Sequence, residues 1–305
     1  MLIEGIKSTV DSLVQAFGLK LITREGFSAL CDELSTLAEG NQTLAKKNQE
    51  LQEKCDRREV ELAVRTGPSI MFNTMPKSGS VYIAQWLAKL LSLTPKQISP
   101  GYFPHDVIDY PKIKEFAQGG AIAQEHLEPS PMNKQLLAAF VDKMVVHVRD
   151  PRQATISWTH HLNWLYDQGH GDFLFATVFP RLPDAYFASS LDWQINYQLS
   201  AHLPLLVSWC ESWLETSRTW TGVEILCTSY EDFLRNGEQF INNILAFFEV
   251  DVVQPMDGPP PRTRELHFRK GVPDEWRTIL APSQQTKVNE MIPDSLANHF
   301  GWKRE

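Results

Sequence analysis

The sequence predicts an α/β protein with a central parallel sheet flanked by helices, preceded by a helical N-terminal extension. Three observations carry this reading. Short apolar runs without clean alternation recur after Thr66, as expected of strands buried on both faces. Segments of helical periodicity separate those runs, which is the layer pattern of an α/β fold. The first 65 residues lack the apolar runs and show helical spacing instead. The expected division is therefore 1–65 for the extension and 66–305 for the main domain.

In the extension, Ile3, Ile6, Val10, Leu13, Val14 and Phe17 recur at helical spacing, with Gly18 as a C-cap. A second helix is expected after Thr23 or Ser28. From Leu34 a sparse heptad follows, with Leu37, Leu44 and Leu51 on one stripe and Leu34, Asn41, Asn48 and Cys55 on its neighbour. Two readings stay open: a short oligomerising coiled coil, or an amphipathic helix lying on its own domain.

In the main domain the expected strands are Ser69 to Asn73, Ala121 to Ala123, Met144 to Val148 and Val223 to Cys227. Ile83, Leu87, Leu90 and Leu91 mark one intervening helix, and Ile241, Ile244, Leu245 and Phe248 another. Gln254 to Arg262, with Pro259-Pro260-Pro261, reads as a surface loop.

Charge narrows the function. The chain has 29 Lys and Arg against 37 Asp and Glu, a net charge of -8. Such a balance opposes a surface built to coat nucleic acid or an anionic membrane, so any anionic ligand must be held locally. Cys31, Cys55, Cys210 and Cys227 show no CxxC spacing, which argues against a zinc knuckle or a disulfide framework and for a reducing cytoplasm. Glu4 and the charges scattered through Met1 to Leu21 do not fit a secretory signal. No apolar stretch approaches the roughly 18 residues of a membrane span.

Parallel sheets bind ligands beyond the carboxyl ends of their strands, so the strand exits are the informative places. The first exit, Thr74-Met75-Pro76-Lys77-Ser78-Gly79-Ser80, leads into a helix, and such a turn aims backbone N–H groups and the helix dipole at an anion. The lysine precedes the glycine, unlike the G-x-x-x-x-G-K-[ST] loop of nucleotide triphosphatases. The second exit holds Glu125, His126 and Glu128. The third reads Arg149-Asp150-Pro151-Arg152, with Asp150 suited to N-cap and Pro151 to the first helical position. The fourth is Ser229-Tyr230-Glu231-Asp232. Near the C-terminus, Arg269, Lys270 and Arg277 gather around Gly271.

In this order the segments resemble the sulfotransferase family that uses 3′-phosphoadenosine 5′-phosphosulfate (PAPS), over roughly residues 66 to 302. The family's T-Y-P-K-S-G-T-T-W loop is met by Thr74 to Tyr82, with Lys77, Ser78 and Gly79 matching. Ser80, Val81 and Tyr82 complete it, although Val81 lacks the family's second threonine hydroxyl. The resemblance implies that this loop clasps the 5′-phosphosulfate, with Tyr82 keeping an aromatic face for adenine. Arg149 and Ser157, eight residues apart, correspond to the family's 3′-phosphate pair. Arg269, Lys270 and Gly271 correspond to R-K-G, with Trp276 also kept and Asp274, Glu275 and Arg277 departing from the pattern. Tyr230 resembles the adenine-facing tyrosine.

The family's T-H-L-P-like segment resembles His126-Leu127-Glu128-Pro129 with one residue inserted, which implies His126 as general base, with Glu125 or Glu128 as fallback. The dimer motif of animal cytosolic members is broken by Ala281, Pro282 and Thr286, so that dimer is not expected. The resemblance thus implies a P-loop-like three-layer fold and transfer of a sulfuryl group from PAPS to a hydroxyl or amine. It further implies that the product is 3′,5′-ADP, that Lys77 stabilises the leaving phosphate, and that no metal is required. The acceptor is a small molecule, a lipid or a glycan, and homo-oligomerisation through residues 1–65 is an expected partner interaction. A P-loop kinase and a non-catalytic PAPS-binding scaffold are the rivals. The aromatics between Trp158 and Trp213 form either core or an acceptor pocket.

Overall fold

The structure, a computed structural model, describes residues 32, 35–44, 46–48, 67–250 and 274–304. By its internal contacts the chain divides into two units, Met1–Val64 and Arg65–Glu305. Within the first, residues 35–44 and 46–48 are helical, and Leu37 and Leu44 are each 60% exposed. The expected helices before residue 32, and Leu34, Leu51 and Cys55 of the heptad, lie outside the described residues, as do the loop Gln254 to Arg262 and Arg269, Lys270 and Gly271.

The second unit is built on five parallel strands: β1 Ser69–Thr74, β2 Thr94–Lys96, β3 Ala121–Glu125, β4 Lys143–Val148 and β5 Glu224–Ser229. Their order is β2-β3-β1-β4-β5. Parallel neighbours need crossover connections, and helices supply them. The period of two then sorts side chains between two cores. Ile70, Phe72, Ile122 and Val145 face one side, under α1 (Ser80–Leu91) and the later helix Gly237–Phe247. Met71, Ala121, Ala123, Met144 and Val146 face the other, against helices that include α2 (Tyr110–Phe116), α3 (Pro131–Phe140) and α4 (Pro151–Asp167). The result is three layers.

The four expected strands are present, each extended or shifted by one or two residues. β2 was not expected. It is a three-residue edge strand containing Pro95, which a sheet tolerates at its edge. Asp150 caps α4 by accepting the N–H of Arg152, and Pro151 occupies the first helical position, as its fixed φ and missing N–H allow. Among the described residues, no helix is long and apolar enough to cross a membrane.

Candidate active site

The first exit turn joins β1 to α1 through two left-handed residues, Lys77 at φ 63° and Gly79 at φ 77°. Glycine takes this conformation without steric cost, whereas for lysine it is uncommon and signals a backbone held by its surroundings. Three contacts hold it. The Ser78 hydroxyl donates to the Met75 carbonyl at 2.7 Å, the His147 ring contacts the Ser78 carbonyl at 3.0 Å, and Arg149 Nη1 donates to the Lys77 carbonyl at 2.9 Å. As N-cap of α1, Gly79 has no side chain with which to cap the first turn, where a helix has N–H groups without intrahelical acceptors. The dipole of α1 adds positive potential at the same place.

His147 supports the loop from below and is a residue that the sequence did not reveal. It sits in β4 opposite Thr74 on one side and Thr228 on the other. Its Nε2 contacts the Ser78 carbonyl, which can only accept, so Nε2 carries the proton. Nδ1 then accepts from the Thr228 hydroxyl at 2.9 Å. Burial pushes its pKa down to about 4, keeping the ring neutral beneath the loop. A polar residue inside an otherwise apolar run was the available signal.

His126 follows β3. Its Nδ1 lies 2.6 Å from the Thr74 carbonyl and 3.3 Å from the Thr74 hydroxyl. The carbonyl must receive a proton, so Nδ1 is the protonated nitrogen and Nε2 keeps its lone pair. Burial lowers the pKa of the imidazole. The Thr74 contact and the charge of Asp106 raise it, while the nearby charge of Lys77 lowers it.

The backbone around His126 is fixed from the core. The Asn73 side chain accepts the Leu127 N–H at 2.7 Å and donates to the Leu127 carbonyl at 3.1 Å. The same carbonyl receives the indole N–H groups of Trp209 at 2.9 Å and Trp213 at 2.7 Å.

The fallback carboxylates are placed differently. Glu125 is buried on the α2 and α3 side of the sheet and accepts the Ile98 N–H at 2.5 Å. Burial raises its pKa to about 7, and the charge of Asp106 adds to the rise. Glu128 is more open, with its pKa raised by burial.

Arg149, at the exit of β4, lies with its guanidinium carbon 4.4 Å from the centroid of the Tyr230 ring. Tyr230 opens a short helix, Tyr230–Arg235, and its edge closes over Gly79, where an added Cβ would stand 2.6 Å from the ring. Loop, guanidinium and ring therefore form one contiguous group. Ser80 and Ser157 are buried, the latter two turns into α4, and Val81 is half-buried. Tyr82 is 6% exposed, packed edge-on against Trp86 and Phe233. After the undescribed stretch, the Trp276 N–H donates to Gln153 Oε1 and Gln153 Nε2 donates to Glu275, which ties that segment to the start of α4. Trp276 is buried with Arg152 and Arg277 over its ring at 4.1 and 4.4 Å.

Beside His126 opens a cavity of about 230 Å³, walled by Phe103, Trp158, Phe173, Phe179 and His202 and reaching Pro76 of the loop. His202 is buried and stacks on Trp158 at 5.2 Å. Neither of its ring nitrogens has a hydrogen-bond partner among the described residues. The aromatics from Trp158 to Trp213 thus divide. Trp158, Phe173 and Phe179 line the cavity, while Tyr186 and Trp213 are core. Among the described residues no group of three or more His, Cys, Asp or Glu is arranged to hold a metal.

A family model described as the sulfotransferase domain matches residues 68–300. No curated protein matches the sequence. Among solved structures, a mouse sulfotransferase complexed with PAP is 18% identical, covering 73% of this chain and 82% of that one at a TM-score of 0.50. A retinol dehydratase in complex with retinol and PAP is 15% identical, covering 78% and 84% at 0.45. A sulfotransferase from Alicyclobacillus acidocaldarius is 12% identical, covering 74% and 91% at 0.41. The mouse structure shares the fold. The family match runs from the start of β1 to the last helix and takes in the Lys77 loop, His126, Arg149 and Tyr230, so the chain belongs to the sulfotransferase family.

Proposed function

We propose that the protein moves a sulfuryl group from PAPS to a hydroxyl of a small apolar acceptor seated in the cavity beside His126, releasing 3′,5′-ADP. One observation carries this reading: His126 lines the cavity and also feels the charge of Lys77 on the anion loop. A base that touches both compartments is what transfer between them requires.

The chain's own groups fit the donor's anionic ends. Gly79 presents the uncapped first turn of α1, and Lys77 adds a cation beside it. Arg149 and Ser157 are assigned to the 3′-phosphate, and Tyr230 to the base. Arg269, Lys270 and Gly271 join the phosphate site on sequence grounds alone, as do Ser78, Ser80 and Val81 for the rest of the loop and Tyr82 for the adenine. When bound, PAPS supplies the sulfuryl group.

The Thr74 carbonyl holds the proton on Nδ1, which leaves the lone pair of Nε2 to take the acceptor's hydroxyl proton. Burial keeps the imidazole neutral and ready for that role. Lys77 stabilises the negative charge that grows on the bridging oxygen of the departing phosphate. The cavity is smaller than the roughly 300–1,000 Å³ of sites for drug-sized ligands, and its walls are aromatic. Those two properties favour an acceptor of one or two rings over a glycan. The free thiols of Cys210 and Cys227 suit a reducing compartment, and we assign the enzyme to the cytoplasm.

The test is transfer of label from sulfur-labelled PAPS to a panel of naphthols, hydroxybiphenyls, hydroxylated lipids and glycans. Label on the aromatic hydroxyls is expected. Transfer confined to glycans would refute the acceptor class, and failure of the protein to bind 3′,5′-ADP would refute the donor.

A further inference from the structure

Asp106 lies on the segment between β2 and α2, the same segment that supplies Phe103 to the cavity wall. Its carboxyl is buried, and Oδ1 has no hydrogen-bond partner among the described residues. The carboxyl is turned toward the Ser99 hydroxyl and the peptide N–H of His126. Its own backbone is held in place. The Asn133 side chain donates to the Asp106 carbonyl at 3.0 Å and accepts the Ile108 N–H at 3.1 Å. Space is tight as well, since a Cβ on Gly101 would meet Oδ1 at 2.8 Å. A buried carboxyl with an unused oxygen costs stability, so its placement beside the cavity histidine calls for a compensating use.

We propose that Asp106 is a positioning residue for His126, whose buried carboxylate supplies the negative charge that stabilises the imidazolium formed when His126 takes the acceptor's proton. The inference rests on the reading of His126 as general base. In the step, the acceptor oxygen forms its bond to sulfur while the bond from sulfur to the phosphate oxygen breaks. The hydroxyl proton passes to Nε2. Nδ1–H stays on the Thr74 carbonyl, and the new positive charge falls beside Asp106 instead of in an uncompensated cavity.

The surrounding charges agree with this role. Burial raises the pKa of Asp106, while the charges of His126 and His105 and the contacts with Ser99 and the His126 N–H pull it down. Asp106 in turn raises the pKa of His126, against burial and the Lys77 charge. Glu125, the other buried carboxyl nearby, is occupied by the N–H groups of Ile98 and Ser99 and faces Lys112. The charges that act on His126 are those of Asp106 and Lys77.

The experiment follows the His126 ring by NMR titration in the full-length protein without donor, so it reads the pair whether or not sulfate is transferred. In the wild type, the His126 resonance should carry a second inflection as Asp106 titrates. In Asp106→Asn, which keeps shape and removes charge, the His126 pKa should fall by about one unit, the lower end of the effect of a neighbouring opposite charge. The acid limb of kcat/KM should move down with it, because the base works only above its pKa. Glu125→Gln should leave the His126 titration in place. A single inflection in the wild type together with an unmoved pKa in Asp106→Asn overturns the proposal. If Asp106→Asn does not fold, Glu125→Gln decides: the second inflection should persist in that variant, and its disappearance there overturns the proposal. Titration as expected without sulfate transfer to any acceptor would instead count against the general-base reading.

Discussion

The guanidinium of Arg149 lies 4.4 Å from the centre of the Tyr230 ring while its Nη1 reaches the Lys77 carbonyl at 2.9 Å. One side chain thereby spans the exits of β4, β5 and β1. Arg149→Ala should raise the dissociation constant for 3′,5′-ADP about 10- to 150-fold, matching the roughly 1.5–3 kcal/mol of a hydrogen bond to a charged group. Tyr230→Leu should cost less, and the double mutant less than the sum, because the two residues share one contact. Calorimetric titration checks this, and strict additivity would mean that the stacked pair does not act as a unit.

His126→Ala should retain 3′,5′-ADP binding and lose about 10² to 10⁴ in turnover, the usual worth of a positioned general base. Glu125→Gln should stay within a few fold of wild type, because that carboxyl serves the Ile98 N–H. Turnover measured on both purified variants separates them, and the reverse result would move the base to Glu125.

Buried histidines set an acid limit on stability. Burial pushes His202 down to about 3 and His147 to about 4, from 6.5. As pH falls, the unfolded chain protonates first. Stability is therefore intact above pH 6.5 and is lost toward pH 3 to 4, at up to about 1.4 kcal/mol per pH unit for each ring. His202→Phe keeps the stacked ring and removes one titrating site. Its urea midpoint should exceed the wild type at acid pH by more than it does at pH 8. A constant difference would show that His202 does not titrate on unfolding.

Gly79→Ala should combine two penalties. An L-residue at φ 77° costs about 1–2 kcal/mol, and the added methyl collides with Tyr230. Gly120→Ala, at φ 65° with nothing within 4 Å of the new carbon, isolates the first penalty. Thermal melts of the two variants give the collision cost by difference, and only Gly79→Ala should weaken 3′,5′-ADP binding.

Leu37 and Leu44 stand exposed one heptad apart on the N-terminal helical stretch, with Asn41 between them. We propose that they pair with a second copy of the chain. Leu37→Lys with Leu44→Lys should lower the mass seen by light scattering and leave sulfate transfer unchanged. Equal masses would assign the leucines to a solvated helix.

The parallel sheet was legible because four of its strands are continuous apolar runs, a pattern that burial on both faces imposes. β2 was not, since three residues around Pro95 carry no periodicity. The Lys77 loop could be read from order and spacing, as could the capped start of α4. Asp106 and His147 could not. His147 bears on the loop only because the register sets it across from Thr228 and Thr74. Asp106 meets His126 only because a long connection crosses the end of β3. The aromatics after Trp158 show helical spacing, but which stripe meets the cavity depends on how the helices pack.

The Leu127 carbonyl, one peptide beyond His126, receives three donors at once, from Asn73, Trp209 and Trp213. A carbonyl oxygen has two lone pairs, so the site is over-subscribed and its geometry redundant. Loss of any one donor leaves two to hold the same peptide, and the location of the histidine should survive single lesions in its support. The proton on Nδ1 has no such insurance, because the Thr74 residue alone determines which nitrogen carries it. The place of the base is specified many times over, and its tautomer through a single neighbour.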